Sequence, residues 1–223
     1  MTLAELMERH RTLTGDSVGP PFFVPDPLLI SFLNDAVAEA AIRGRLIHAS
    51  AEPDACEIAV SAGDAVYPLH ASLYELDHVA FRPDGQTRRC AVKQTSQEWL
   101  DANVADWRDA EGDPAYMIQG DASVRLVPRP ARDGLLQLEG YRTPKTPMAD
   151  PDDVPEISAL HHLHLVEWSQ FRHFSIQDSE LYDPARAATS EAAFTAYFGP
   201  RPDADLRRIS REDTPQVVSA FLP

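Results

Sequence analysis

Strand-forming sequence is concentrated in one internal block of this chain, and helical periodicity is confined to the regions on either side of it. Between residues 56 and 142, β-branched and aromatic residues recur in short runs separated by turn signals. One such signal, Pro83-Asp84-Gly85, predicts a hairpin over residues 76–93. Because the strands cluster instead of alternating with helices, the sequence predicts an α+β protein with a small, mostly antiparallel sheet.

The flanking regions carry the predicted helices. Asp26 and Pro27 are a good start for an amphipathic helix of about six turns that ends near Ile47. One long helix is expected to begin at Pro155, and its apolar residues form two stripes. A helix that is apolar on two sides must be packed on two sides, either within its own fold or between subunits. A last helix is expected from the N-cap Asp183 to Phe198.

These patterns predict a helical bundle interrupted by a β-sheet insertion. An N-terminal helix and a proline-rich strap occupy residues 1–25. The bundle core combines residues 26–55 with residues 151–200, and the β-rich insertion takes residues 56–150. An extended C-terminal tail follows over residues 201–223.

The charge of the chain limits its partners. It has 20 Lys and Arg against 35 Asp and Glu, which gives a formal net charge of −15. Sequence-independent nucleic-acid binding needs the opposite bias, because Lys and Arg neutralise the phosphates. No apolar run reaches the length of a membrane span. Cys56 and Cys90 have neither disulfide-framework nor metal-pair spacing, so we expect two reduced thiols in a cytosolic environment.

Candidate chemistry is sparse. His161 and His164 are three residues apart and Glu167 follows three later, so one helix face could hold a metal ion. This leaves a small metal-dependent hydrolase as the alternative function, although packed histidines are the favoured interpretation. The sequence lacks a His-Glu-x-x-His motif, a phosphate-binding glycine loop and a Gly-x-Ser-x-Gly motif preceded by a strand. We therefore predict no catalytic residue and no cofactor.

Several stretches, taken in order, resemble a known family. AGDAVYPLH precedes LYELDHVAF, GDPAYMIQGDASVRLVPRP precedes LEGYRTP, and EISALHHLHLVEWSQFRHFSIQDSELYDPARAATSEAAFTAYFGP closes the pattern. This arrangement is similar to the head–tail adaptor (connector) proteins of tailed bacteriophages. The resemblance covers about residues 26–200, and its most specific parts are AGDAVYPLH and YDPARA.

The resemblance implies a structural virion protein and not an enzyme. Such a protein would be made in the host cytoplasm and would assemble as a homo-oligomeric ring of twelve copies at the head–tail junction. The ring would bind the portal protein, offer a platform to tail or nozzle proteins, and extend the channel through which DNA passes without specific binding. It would need no membrane. An acidic assembly or chaperone-like factor that never enters a particle is a weaker alternative.

The resemblance also implies two sets of contact residues. The C-terminal segment of similar proteins reaches the portal, and its apolar side chains here are Leu206, Ile209, Val217, Val218, Phe221 and Leu222. Large aromatic residues expected at the interface between subunits are Phe22, Phe23, Trp168, Phe171 and Phe174.

Two further features suit contacts between copies. Proline-rich segments at residues 19–27 and 143–155 could reach across a neighbour, since extended proline-rich chain needs no internal hydrogen bonds. Acidic copies repel one another, so we expect interfaces that either are apolar or pair Arg with Asp across subunits. The candidates for this pairing are Arg88, Arg89, Arg207, Arg208 and Arg211.

Overall fold

The computed structural model describes residues 1–17, 19–177 and 180–202. The chain divides into two compact units. The helical unit combines Met1–His48 with Tyr141–Pro202, and the β unit covers Ala49–Gly140. The predicted tail lies outside the described residues from residue 203 onward, so the structure says nothing of its six apolar side chains or of Arg207, Arg208 and Arg211.

The structure is mixed helix and sheet, as the sequence predicts. The helices are α1 (Leu3–Thr14), α2 (Asp26–Gly44), α3 (Pro53–Cys56), α4 (Gln97–Asn103), α5 (Leu165–Phe174) and α6 (Pro184–Phe198), and a 3₁₀ helix at Ala159–His164 runs directly into α5. The strands are β1 (His48–Ala49), β2 (Glu57–Val60), β3 (Val66–Pro68), β4 (Leu73–Pro83), β5 (Cys90–Ala91), β6 (Lys93–Gln94), β7 (Glu111–Gly112), β8 (Tyr116–Gln119), β9 (Ser123–Val127), β10 (Arg129–Pro130) and β11 (Gly134–Arg142).

The strands form two main sheets. One has the order β1-β11-β4-β5, with β2 also paired to β11, and the other has the order β3-β9-β8-β6. The pairs β2–β11, β4–β5, β3–β9 and β8–β9 are antiparallel, whereas β6–β8 and the two-residue pair β7–β10 are parallel. The expected hairpin is present, because Ala80 and Phe81 of β4 pair with Ala91 and Cys90 of β5.

The core of the β unit follows the two-residue period of its strands. Alternate residues of β11 are buried, among them Leu136 and Leu138, and they join Phe81, Met117 and other apolar side chains in one cluster. Gly140 lies where the neighbouring strand passes closest, since a Cβ atom there would collide with the carbonyl oxygen of Glu75. Glycine is therefore required at this position by backbone approach.

The core of the helical unit lies between α1, α2, α5 and α6. Small residues on α2, such as Ala36 and Ala40, are fully buried and allow the helices to approach closely. Phe194 of α6 is fully buried against Trp168 of α5, with 5.0 Å between the ring centroids. The helices predicted to begin at Asp26 and to end at Phe198 are confirmed, although α2 ends at Gly44 and not near Ile47.

The single long helix predicted from Pro155 is wrong. Residues 155–158 are not helical, residues 159–164 form the 3₁₀ helix, and only Leu165–Phe174 is α-helical. Two side chains in residues 155–164 contact residues from other parts of the chain. Glu156 pairs with Arg142 at 2.5 Å, and the Nδ1 atom of His162 lies 2.8 Å from the Met1 amino group. These long-range contacts hold a turn where the periodicity alone predicts a helix.

Candidate interaction surfaces

The proline-rich strap lies on α1 of its own chain. The guanidinium of Arg11 donates to Asp16 at 2.8 Å, to the carbonyl of Val24 at 3.1 Å and to Asp26 at 2.6 Å. Asp16 in turn accepts the backbone N–H groups of Phe23 and Val24. The strap's polar backbone groups at these positions are thus satisfied by side chains of the same molecule.

The second proline-rich segment is held in the same way. The side-chain amide of Asn34 both donates to and accepts from the backbone of Met148, at 2.9 and 2.8 Å. Asp153 accepts the N–H groups of Ala149 and Asp150, and these bonds lower the pKa of its carboxyl group. Both proline-rich segments are therefore tied to their own chain by side-chain hydrogen bonds, and the contact of residues 19–27 and 143–155 with a neighbouring copy stays a prediction.

The aromatic residues predicted at a subunit interface are distributed unevenly. Trp168 and Phe174 are buried in the core of the helical unit, and Phe171 is half-buried beside Trp168. The guanidinium carbon of Arg11 lies 3.5 Å from the centroid of the Phe22 ring. Of the five, Phe23 is the one that exposes a large apolar surface, with 61% of its area accessible. It lines a cavity of about 320 Å³ together with Tyr182.

The histidines considered for a metal site contact a tyrosine. The ring of His164 stacks on Tyr197 with 3.5 Å between centroids, and His161 Nδ1 lies 3.2 Å from the Tyr197 hydroxyl. In residues 1–17, 19–177 and 180–202, no group of three His, Cys, Asp or Glu side chains is placed to hold a metal ion. The structure does not bring His161, His164 and Glu167 together as such a group, so nothing in the described part of the chain favours the hydrolase alternative.

The 3₁₀ helix explains why leucines and histidines alternate in this segment. Side chains three residues apart lie on the same side of a 3₁₀ helix. One side therefore carries His161 and His164 against Tyr197, and another carries Leu160 and Leu163. Leu160 is 80% exposed and Leu163 is 43% exposed. We call Leu160 and Leu163 the leucine face; the three-residue repeat was the sequence signal that could have revealed it.

A buried polar network joins α1 to α5. Ser169 donates its hydroxyl to the carbonyl of Val166, so its oxygen accepts from His10 Nδ1 at 2.8 Å. His10 Nε2 then accepts from His173 Nδ1 at 3.1 Å. Burial lowers the pKa of His10 to about 3, and the adjacent His173 adds to this effect. Burial also lowers the pKa of His173, and both rings are neutral near pH 7.

Of the five arginines predicted to pair with carboxylates of a neighbouring copy, the structure describes Arg88 and Arg89. Arg88 and Arg89 are exposed in the loop between β4 and β5. In the part of the chain that the structure describes, neither side chain forms an ion pair.

Comparison with known proteins gives the chain its family. The family model for the SU10 adaptor protein matches residues 1–219, which is nearly the whole chain. The chain belongs to the SU10 adaptor protein family. This is a family of phage head–tail adaptors, so the resemblance found in the sequence is confirmed. No curated protein matches the chain.

Family membership establishes the general role of the chain. An SU10 adaptor is a structural protein of a phage and a component of the virion. It interacts with portal and tail proteins. Within the described residues, no helix is both long enough and apolar enough to cross a membrane.

Proposed function

We propose that this SU10 adaptor forms a ring of twelve copies between the portal and the tail of a tailed phage. The ring extends the DNA channel and provides the surface to which tail or nozzle proteins attach. Family membership supports an adaptor role, and the net charge of −15 suits a channel wall on which no phosphate finds a lasting counter-charge. In this view the chain has no catalytic activity.

The observation that carries this proposal is the leucine face. Full burial of a leucine side chain is worth about 1.5–3 kcal/mol, and Leu160 leaves most of its area in water. The face is also held in place, since His162 Nε2 donates to the carbonyl of Ile157 at 3.0 Å while His161 and His164 contact Tyr197. A held, exposed apolar surface is suited to contact a neighbouring subunit.

The C-terminal residues provide the second proposed contact. Leu206, Ile209, Val217, Val218, Phe221 and Leu222 form an apolar segment at the end of the sequence, and we assign it to the portal. The chain enters this segment from an anchored position, because Arg43 donates to Thr195 at 2.9 Å and Arg201 lies 3.4 Å from Glu39.

One assembly experiment tests both contacts. The chain is mixed with the portal protein of the same virus, and mass photometry counts the adaptor copies on each portal ring. We expect the wild type to add twelve copies, L160S/L163S to give incomplete rings, and a chain that lacks residues 206–223 to remain unbound with an unchanged melting temperature. L28S is the matched control, since Leu28 is 40% exposed in the same unit but lies on α2.

Each outcome bears on a different part of the proposal. Complete rings with L160S/L163S would remove the leucine face from the interface. Normal docking of the truncated chain would show that the C-terminal segment does not bind the portal. Wild-type chains that bind the portal singly, without filling a ring, would contradict the ring itself.

A further inference from the structure

The tip of the β4–β5 hairpin gathers three arginines. Gly85 has a φ of 75°, in the left-handed region that glycine enters without strain, and the N–H of Gln86 donates to the carbonyl of Pro83 to close a tight turn. The returning strand then passes Arg88 and Arg89 before it reaches Cys90. Arg82 is the last cation of the outgoing strand.

The pairing of the two strands brings like charges together. The strand pairing ends at Phe81 and Cys90, and Arg82 and Arg89 are the residues next to this last pair on the two sides of the connecting loop. Like charges at such neighbouring positions repel one another. A local conflict of this kind is typical of a functional position, because it is retained only where something else compensates for it.

The other arginines of the β unit have partners, in contrast to these three. Arg108 pairs with Asp101 at 2.6 Å, Arg129 with Glu111 at 2.5 Å, and Arg132 pairs with Asp113. The guanidinium of Arg125 lies 5.3 Å from the ring centroid of Trp107. Within the described residues, Arg82, Arg88 and Arg89 form no ion pair. Arg88 and Arg89 are exposed and Arg82 is half-buried, and we call these three the cationic tip.

We propose that the cationic tip docks on a carboxylate-bearing surface of a second copy of this chain. The inference rests on the proposed ring and adds the contact that lets strongly acidic copies associate. Each copy carries 35 Asp and Glu against 20 Lys and Arg, so any neighbour presents mainly negative charge to the tip. The attraction also offsets the repulsion among the three arginines.

Charge complementarity favours a protein surface over DNA. A nucleic acid that approached the tip would meet the field of a chain with a net charge of −15, whereas association with DNA is driven by many cations acting together. Contact with a second copy needs only short-range pairing, which operates within a screening length of about 8 Å at physiological salt.

The test compares two variants that remove the same charge from the full chain. R88Q/R89Q removes two cations from the tip, and R9Q/K93Q removes two exposed cations that form no ion pair among the described residues. Each protein is titrated onto its portal, and the number of copies per portal is followed by mass photometry at low and at high salt. A fluorescent DNA duplex, titrated with the same proteins, reports phosphate binding by anisotropy.

We expect R88Q/R89Q to need about tenfold more protein than the wild type to complete rings at low salt, with the difference falling to about twofold at high salt. R9Q/K93Q should stay within about twofold of the wild type at both salt concentrations.

If R88Q/R89Q assembles as R9Q/K93Q does while the wild type forms rings, the cationic tip is not the contact, although the proposed ring is not contradicted. A loss of duplex binding in R88Q/R89Q, with ring formation unchanged, would assign the tip to DNA and overturn the proposal. A wild type that never forms rings would contradict the proposed function itself.

Discussion

The helical unit of this adaptor contains buried arginine ion pairs, whereas the arginine ion pairs described in the β unit lie at the surface. In the helical unit, the side chains of Arg11, Arg43 and Arg142 are buried, and each joins a carboxylate to backbone or hydroxyl groups. In the β unit, the ion pairs of Arg108 and Arg132 lie at the surface. Water competes for surface charges and leaves them little net attraction, whereas a buried charge must keep its partner.

The difference reflects what each unit must hold in place. The sheets of the β unit satisfy their backbone groups through strand pairing, so their surface charges are free to serve solubility or contacts. The helical unit instead has to hold two proline-rich segments, whose backbone is not hydrogen-bonded to a neighbouring strand. Side chains of arginine, aspartate and asparagine supply hydrogen bonds to these segments instead, as Asp16 does for Phe23 and Val24.

The largest expected effect is therefore at Arg11. Arg11→Met keeps the apolar stem but leaves Asp16 buried without its cation, and loss of one partner of a buried ion pair costs about 3–5 kcal/mol. Urea unfolding at pH 7 measures this change in the free energy of unfolding. Arg9→Met, at an exposed position of the same helix, is the control and should be nearly neutral. Equal stabilities for the two variants would show that the Arg11 network does not hold the strap.

Local signals account for the elements that the sequence predicted well. Helix α6 begins where Asp183 accepts the N–H groups of Ala185 and Arg186, and it ends at Gly199 with a positive φ. Both caps lie within a few residues of the helix that they terminate, so they can be seen in the sequence. The same is true of the turn at Gly85.

The features that the sequence did not predict depend on contacts between distant residues. The break of the long helix at residues 155–158 coincides with the contact of Glu156 with Arg142, and His162 in the adjoining 3₁₀ helix contacts Met1. Periodicity carries no information about either contact. The pairing of His10 with His173 joins residues more than 160 positions apart. The leucine face has a different origin, because its three-residue period belongs to a 3₁₀ helix and does not fit the α-helical period of 3.6 residues that the flanking sequence suggests.

A smaller effect is expected when the histidine network of the helical unit is protonated. The pKa of His10 is about 3 in the folded chain, against 6.5 for an ordinary histidine, so the unfolded state binds a proton first as the pH falls. The stability contributed by neutral His10 is thus complete above pH 6.5 and is lost progressively down to pH 3. Between pH 7 and pH 5 the free energy of unfolding should fall by about 2 kcal/mol for this group alone.

Variants separate this effect from the titration of other groups. His10→Gln removes the titrating ring, so its stability should change less between pH 7 and pH 5 than that of the wild type. His78→Gln, at an exposed position of β4, should retain the wild-type dependence. Parallel pH dependences for the wild type and His10→Gln would mean that His10 is not the group that titrates.

The smallest effect is expected at the surface of the β unit. Hydrogen bonds from Arg108 and Trp107 lower the pKa of the Asp101 carboxyl group, yet the Arg108–Asp101 pair is open to water. Removal of the cation in Arg108→Ala leaves Asp101 solvated and still bonded to the indole N–H of Trp107 at 2.9 Å. The melting temperature should fall by no more than about 2 °C at low salt and by less at high salt, because salt screens an exposed ion pair. A loss comparable to that of Arg11→Met would erase the contrast between the units, because it would show that a solvated pair in the β unit stabilises the fold as strongly as a buried one in the helical unit.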